Sequence, residues 1–136
     1  METRAVLLDS SIIIEYFRKE KKSKSILYQL SGKYRFCLST ITIFEIKIGL
    51  KSERQWNDYG TLIKDIEILP IDEFCIDEAV KIYHNLKEQN RLIELADLLI
   101  AATAITNSLS LATLNTRHFE NITNIELLSL INTSRE

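Results

Sequence analysis

The sequence contains little of what holds small secreted or fibrous proteins together: its 136 residues include only two cysteines, three glycines and one proline. Cys37 and Cys75 are far apart and form no C-x-x-C pair, which excludes a disulfide-framed miniprotein and indicates reduced thiols in a cytoplasmic protein. With 46% hydrophobic residues, the chain is neither disordered nor fibrous. We expect a single domain over residues 1–136 with an ordinary hydrophobic core.

The sequence also lacks a large excess of charge and a long apolar run. Its 17 Lys and Arg against 19 Asp and Glu give a formal charge of −2, so any contact with a nucleic acid must be local or bridged by cations. No apolar run reaches the ~20 residues of a membrane span. The N-terminal segment is apolar for only four residues before Asp9, unlike a signal peptide. We therefore expect a cytoplasmic protein with no membrane contact.

The scarcity of glycine excludes two phosphate-binding motifs, because no glycine stands in Walker or Rossmann spacing. Two further α/β classes are excluded by the residues after Asp9. Receiver domains need paired acids after the first strand, and haloacid-type phosphatases need Asp-x-Asp. Here Ser10 and Ser11 follow instead.

Short apolar runs alternate with longer helical ones, a pattern typical of an α/β protein with a mainly parallel sheet and helices on both faces. The runs predict strands at 5–8, 34–38, 67–69, 110–114 and 125–128. Helices are predicted at 12–18 (capped by Ser10 and Ser11), 23–31 (ended by Gly32), 41–50 (capped by Ser39 and Thr40), 53–64 and 72–89, the last as one helix or two. The spacing of Ile41, Phe44 and Ile48 favours helix over strand in the third of these. Residues 92–105 are the most apolar segment, and 116–121 predict a short helical turn.

Three acids lie in apolar surroundings. Asp9 directly follows the first predicted strand, Glu45 is the only charge in residues 41–46, and Asp97 is the only charge in residues 95–102. Ligands of open α/β sheets bind beyond the carboxyl ends of the strands, so Asp9 and Asn115, which follows strand 110–114, are expected at that edge.

Carboxylates in apolar surroundings need a partner or a cation. Three that converge would repel one another and raise one another's pKa values. A hard divalent cation such as Mg²⁺ removes this conflict, and it can clamp a phosphate oxygen and activate water for in-line attack. The acids therefore predict metal-assisted phosphodiester chemistry.

Each candidate also has a purely structural explanation, and spacing alone leaves the choice open. The alternatives are capping of the first helix by Asp9, ion pairing of Glu45 with Lys47 or Lys51, ion pairing of Asp97 with Arg91 or Arg117, and a turn role for Asn115.

Several polar residues are placed to assist the acids. Ser10, Ser11 and Thr113 are expected to orient a carboxylate or, alternatively, to cap and pack. Arg117 is the best single candidate for a phosphate contact, and the basic run 18–24 is expected near the mouth of the cleft or in a solvated loop. His118 is interpreted as a surface or packing residue.

Four segments, taken in order, resemble the motifs of PIN-domain ribonucleases. They are Leu-Leu-Asp-Ser-Ser around Asp9, Ser-Thr-Ile-Thr-Ile-Phe-Glu-Ile around Glu45, residues 97–104 beginning with Asp97, and residues 111–119 around Asn115. Together they span residues 7–119. The resemblance is to the VapC-type toxins of type II toxin–antitoxin pairs, and it implies a three-layer α/β/α sandwich with a mainly parallel central sheet.

The resemblance also implies an activity: a Mg²⁺-dependent endoribonuclease that cleaves RNA phosphodiester bonds with metal-activated water, Mn²⁺ being a possible substitute. Asp9, Glu45 and Asp97 would be the catalytic, metal-binding acids. Asn115 stands where relatives often carry an acid, and it is interpreted as an outer or water-mediated contact. The implied partners are RNA, a small antitoxin protein and a second copy of the chain. The alternative is a PIN-like module that binds RNA or protein without turnover, which Asn115 favours.

Overall fold

The computed structural model describes residues 3–130, and its centre is a four-stranded, all-parallel sheet in the order β3-β2-β1-β4. The strands are β1 (Arg4–Leu8), β2 (Tyr34–Ser39), β3 (Glu67–Leu69) and β4 (Ser110–Ala112). The first four predicted strands are confirmed. Of the fifth, at 125–128, the structure shows a single parallel bridge between Leu111 and Leu127 rather than a full strand. Leu111 donates to the Glu126 carbonyl and accepts the Leu128 N–H, both at 2.8 Å, so the segment lies beside β4.

Six α-helices and two 3₁₀ turns are found in the described residues. The helices are α1 (Ser10–Arg18), α2 (Ile26–Leu30), α3 (Thr40–Gly49), α4 (Glu53–Ile63), α5 (Glu73–Glu88) and α6 (Leu95–Thr106), and the 3₁₀ turns are Lys22–Lys24 and Thr116–His118. The predicted helix 23–31 is divided, because the Ser25 hydroxyl accepts the Tyr28 N–H and starts α2 there. Gly32 follows α2 with φ +82, as its conformational freedom predicts. Residues 72–89 contain one helix.

The sheet is buried on both faces, which explains why β1 is apolar at successive positions. Leu7 lies in the core formed with α5 and α6, and Val6 and Leu8 lie in the core formed with α1, α2 and α4. All three side chains are fully buried. This arrangement confirms the three-layer α/β/α architecture.

Helix α3 confirms the choice of helix over strand, but Phe44 and Ile48, whose spacing favoured it, are 60% exposed. The buried side chains are Thr42 and Ile46. The helix packs beside α1 and α6, and this position decides which face is buried.

The strand order reverses between β1 and β4, and the site lies at this point. From β1 the chain steps through β2 to β3 on one side and later places β4 on the other side of β1. Leu8 is paired with Ala112, and the Asp9 N–H donates to the Ala112 carbonyl at 2.9 Å. Crevices at such reversals are where open α/β sheets bind ligands. The topology therefore places the residues after β1 and β4 in one crevice.

Helix α5 begins at a side-chain cap, since the Asp72 carboxylate accepts the Cys75 N–H at 2.9 Å. We expect Asp72→Ala to lower the free energy of unfolding by ~1 kcal/mol, because one N–H of the first turn loses its acceptor. Urea titration measures the change. Asp72→Asn is the matched control, since Asn caps about as well as Asp; an equal loss in both variants would contradict a capping role.

Within residues 3–130, no helix has both the length and the apolar character needed to cross a bilayer. Cys37 and Cys75 are both buried free thiols, as expected. Burial raises the pKa of both thiols, which keeps them protonated and unreactive.

Candidate functional site

Asp9 is held by two hydroxyl groups on one carboxylate oxygen. Its Oδ2 accepts from Ser11 Oγ at 2.9 Å and from Thr113 Oγ1 at 2.7 Å. Ser11 Oγ also accepts the Leu114 N–H at 3.0 Å, and Thr113 Oγ1 accepts the Asn115 N–H at 2.9 Å. A hydroxyl has a single proton, so each one is directed to Asp9. Both donors use Oδ2, which leaves Oδ1 for a ligand.

The position of Asp9 excludes one of its alternative roles. It occupies the N-cap position of α1, but its side chain makes no capping hydrogen bond. The predicted caps Ser10 and Ser11 are instead the first two residues of the helix. The carboxylate is 3% exposed and faces the hydroxyls after β4. The capping interpretations of all three residues are therefore wrong.

Glu45 projects from α3 with a carboxylate oxygen that has no partner. Its Oε1 is buried and receives no hydrogen bond from the described residues. Burial raises the pKa of Glu45, and the charges of Asp9 and Asp97 raise it further. The Ser10 hydroxyl acts in the opposite direction and favours the charged form. A buried, unpaired acceptor is costly and calls for a ligand.

The proposed ion pairs of Glu45 are not formed in the part of the chain that the structure describes. The Lys47 ammonium lies 5.9 Å from the centre of the Tyr59 ring. Lys51 Nζ is 3.5 Å from the Ile48 carbonyl oxygen. Neither lysine pairs with Glu45, so neither neutralises the charge of its carboxylate in the cleft.

Asp97, in the first turn of α6, has a histidine as its partner. Its Oδ2 lies 3.0 Å from His118 Nδ1, and its side chain is only 16% exposed. Burial raises the pKa of Asp97, His118 lowers it, and the charge of Asp9 raises it. The predicted pairing with Arg91 or Arg117 is wrong: Arg91 hydrogen-bonds to Asn121. His118 lies at the surface, as interpreted, with its side chain 53% exposed, but it also contacts Asp97, which the sequence did not predict.

Glu94 is a fourth acid that the sequence reasoning missed. It precedes α6, and its charge raises the pKa of both Glu45 and Asp97, which places it near both. It lies outside the apolar run that drew attention to Asp97. The available signal was its spacing of three residues before Asp97 at the start of a helix.

The acids face one another without forming a closed metal cage. Asp9, Glu45 and Asp97 come from the end of β1, from α3 and from α6, and each of the latter two is affected by the charge of Asp9. Among residues 3–130, no three carboxylate, imidazole or thiol side chains are arranged as a ready metal site. The donor set is nevertheless all oxygen, the chemistry that Mg²⁺ and Mn²⁺ prefer, and Glu45 Oε1 has no hydrogen-bond partner in the part of the chain that the structure describes.

The other predicted residues lie around this cleft. Asn115 and Ser10 line a cavity of about 500 Å³. Arg117 is exposed in the 3₁₀ turn, and no ion pair within residues 3–130 includes it; its phosphate contact stays a prediction. The basic run divides, since Lys22 donates to the carbonyl groups of Tyr16 and Phe17.

Comparison with known proteins gives consistent matches. The PIN-domain family model matches residues 6–125. Ribonuclease VapC1 of Methanocaldococcus jannaschii is 36% identical over 121 residues, covering 89% of this chain and 83% of that protein. Ribonuclease VapC of Rickettsia bellii is 33% identical over 132 residues, covering 92% and 96%. The structure of DNA-bound VapBC from Salmonella typhimurium matches with a TM-score of 0.80 and 25% identity, covering 93% of this chain and 98% of that one. The chain therefore belongs to the PIN-domain family, as a VapC-type ribonuclease toxin.

Proposed function

We propose that the protein is a metal-dependent endoribonuclease that cleaves RNA phosphodiester bonds, with Mg²⁺ or Mn²⁺ held by Asp9, Glu45 and Asp97. The observation that carries this proposal is the buried Glu45 Oε1, which has no hydrogen-bond partner among residues 3–130. Burial raises the pKa of Glu45, and neighbouring carboxylates raise it further. Unpaired, buried carboxylates at the sheet edge destabilise the protein, and a bound cation would remove that cost. The relatives named ribonuclease VapC support RNA as the substrate.

The chain's own residues hold the acids in position. Ser11 and Thr113 fix one oxygen of Asp9, and His118 holds one oxygen of Asp97. When bound, a divalent ion supplies charge that polarises the scissile phosphate and activates the attacking water. Asn115, being neutral, adds no further repulsion to the cleft, and its role is an outer contact to water or phosphate.

Metal removal tests the proposal directly. We expect EDTA to abolish RNA cleavage and Mg²⁺ or Mn²⁺ to restore it. The same ions should raise the melting temperature, because binding to the folded state at 100 times Kd stabilises it by ~2.7 kcal/mol. Thermal melts with and without the ion give a readout that does not depend on activity.

The matched variants for this test are Glu45→Gln and Glu88→Gln. Glu45→Gln removes one charged ligand and should reduce the rise in melting temperature that the ion causes. Glu88→Gln, at an exposed position at the end of α5, should leave that rise unchanged. Undiminished cleavage by the metal-free protein would refute the metal mechanism.

We further propose that a small antitoxin protein inhibits the enzyme from a groove that ends at the acids. The groove, of about 250 Å³, lies between α1 and α3, is walled by Ile14, Phe17, Ile46 and Leu50, and reaches Glu45. An apolar segment seated there would block access of RNA to the acids. The similarity to VapBC complexes supports this partner. Restored growth on co-expression of the neighbouring small reading frame, in cells arrested by this protein, is the expected result.

We also propose that the protein forms a homodimer in the cytoplasm. Helix α5 exposes Phe74 and Val80, 78% and 48% accessible, and we propose that a second copy of the chain covers these side chains. Light scattering should give twice the chain mass of 15.8 kDa; a monomer at micromolar concentration would contradict the dimer.

A further inference from the structure

We propose that Arg18, together with Asn115, forms a subsite for one backbone phosphate of the RNA strand, immediately beside the acids. This inference rests on the proposed ribonuclease function and adds to it the path of the substrate. It assigns a role to Arg18, which with Lys19 is a part of the basic run that lines a cavity beside the acids.

Arg18 lies between two cavities that flank the acids. One, of about 500 Å³, is lined by Ser10, Ser11 and Asn115 together with Arg18. The other, of about 250 Å³, contains Glu45 and again Arg18. A strand that passes through the cleft therefore meets this guanidinium on leaving the acids.

The charges in the larger cavity leave Arg18 as its available cation. Lys19, which also lines the cavity, pairs with Glu15 at 3.6 Å, and Glu15 in turn accepts the Ile26 N–H at 3.0 Å. Arg18 is exposed, and among residues 3–130 no ion pair includes it. The guanidinium group matches a phosphate with two parallel hydrogen bonds and stays charged at any working pH.

Asn115 makes the cavity suitable for an anion. Only its backbone N–H is engaged, by Thr113 Oγ1 at 2.9 Å, and its residue is exposed on the cavity wall. A carboxylate at this position would add negative charge to the cavity that Arg18 lines and would repel a phosphate. An amide does neither and can donate to a phosphate oxygen.

A local cation is needed here because the protein as a whole does not attract RNA. The net charge is −2, and the cleft itself concentrates carboxylates. A polyanion is held at such a surface only where a positive group meets a phosphate. Arg18 supplies that contact at the end of α1, where it lines both the cavity of Asn115 and the cavity of Glu45.

The test measures RNA binding in EDTA, where no cleavage is needed. A short single-stranded RNA of defined mixed sequence, and copies carrying one methylphosphonate at successive positions, are titrated against the wild-type protein, Arg18→Gln and Arg54→Gln. Arg18→Gln should weaken binding about tenfold, as expected for one charge-assisted contact. The slope of log affinity against log salt should fall by ~0.7, the value for one phosphate of a single strand. Arg54→Gln, an exposed arginine lining a different cavity, should change neither.

The methylphosphonate series identifies the phosphate. One position should weaken binding to the wild-type protein and have no further effect on Arg18→Gln, since the same contact is already lost. Unchanged RNA affinity of Arg18→Gln would overturn the subsite. So would a loss of affinity from each methylphosphonate that is the same in the wild-type protein and in Arg18→Gln at every position. Failure of metal-dependent cleavage leaves this binding result intact, so the two proposals fail separately. Equal melting temperatures exclude misfolding as the cause.

Discussion

Asp97→Asn is expected to reduce RNA cleavage at least ~100-fold while the protein stays folded. The substitution keeps the shape of the side chain and its contact with His118 but removes the negative charge that a divalent ion requires. Burial and neighbouring acids raise the pKa of Asp97, so its charged form is costly in the metal-free protein. The neutral variant should therefore melt at the same temperature as the wild-type protein or higher.

Steady-state cleavage of a fluorescent RNA and thermal melting of the same samples measure both effects. Asp77→Asn is the matched control, because Asp77 is an exposed aspartate on α5 and away from the cleft. A folded Asp97→Asn protein that cleaves RNA at the wild-type rate would remove Asp97 from the mechanism.

Phe119→Ala is expected to lower the free energy of unfolding by ~3–5 kcal/mol. Phe119 is fully buried in the core formed with α5 and α6. Removing its ring would leave a cavity there. Phe119 also ends the 3₁₀ turn that carries His118, so the loss should loosen the partner of Asp97. A loss of this size is a large fraction of the total stability of an ordinary domain.

Phe74→Ala provides the comparison for this prediction. Phe74 is 78% exposed, and its truncation should change the stability of the monomeric chain by less than ~0.5 kcal/mol. Urea titrations of both variants, at a concentration where association does not contribute, give the two values. Similar losses in both would show that burial in this core does not govern stability.

The strands could be predicted because a sheet covered on both faces requires runs of consecutive apolar residues. Val6, Leu7 and Leu8 are consecutive and apolar because alternate side chains enter different cores. The bounds of helices were harder, since Ser10 and Ser11 fit a capping pattern yet direct their hydroxyls to acids, Ser10 to Glu45 and Ser11 to Asp9. Local propensity could not show that Glu45, which lies on a different helix, would take the Ser10 hydroxyl.

The three acids could be predicted from the sequence, whereas the residues around them could not. Asp9, Glu45 and Asp97 could be selected from sequence because a lone charge in an apolar segment is costly and needs an explanation. His118 and Glu94 could not, since His118 lies in a polar turn and Glu94 stands before the run 95–102 in which Asp97 is the only charge. Their importance arises from packing: His118 reaches Asp97 across 21 positions of the chain, and Glu94 affects Glu45 from a different element.

The amino-acid sequence by itself determined the layered fold and the three candidate acids, because both follow from where apolar and charged side chains alternate along the chain. The tertiary structure alone decided which hydroxyl holds which acid, which face of α3 stays in water and where Arg18 lies. These depend on distances between residues remote in sequence, and such distances are settled only when the sheet order and the helix packing bring separate segments to the same edge.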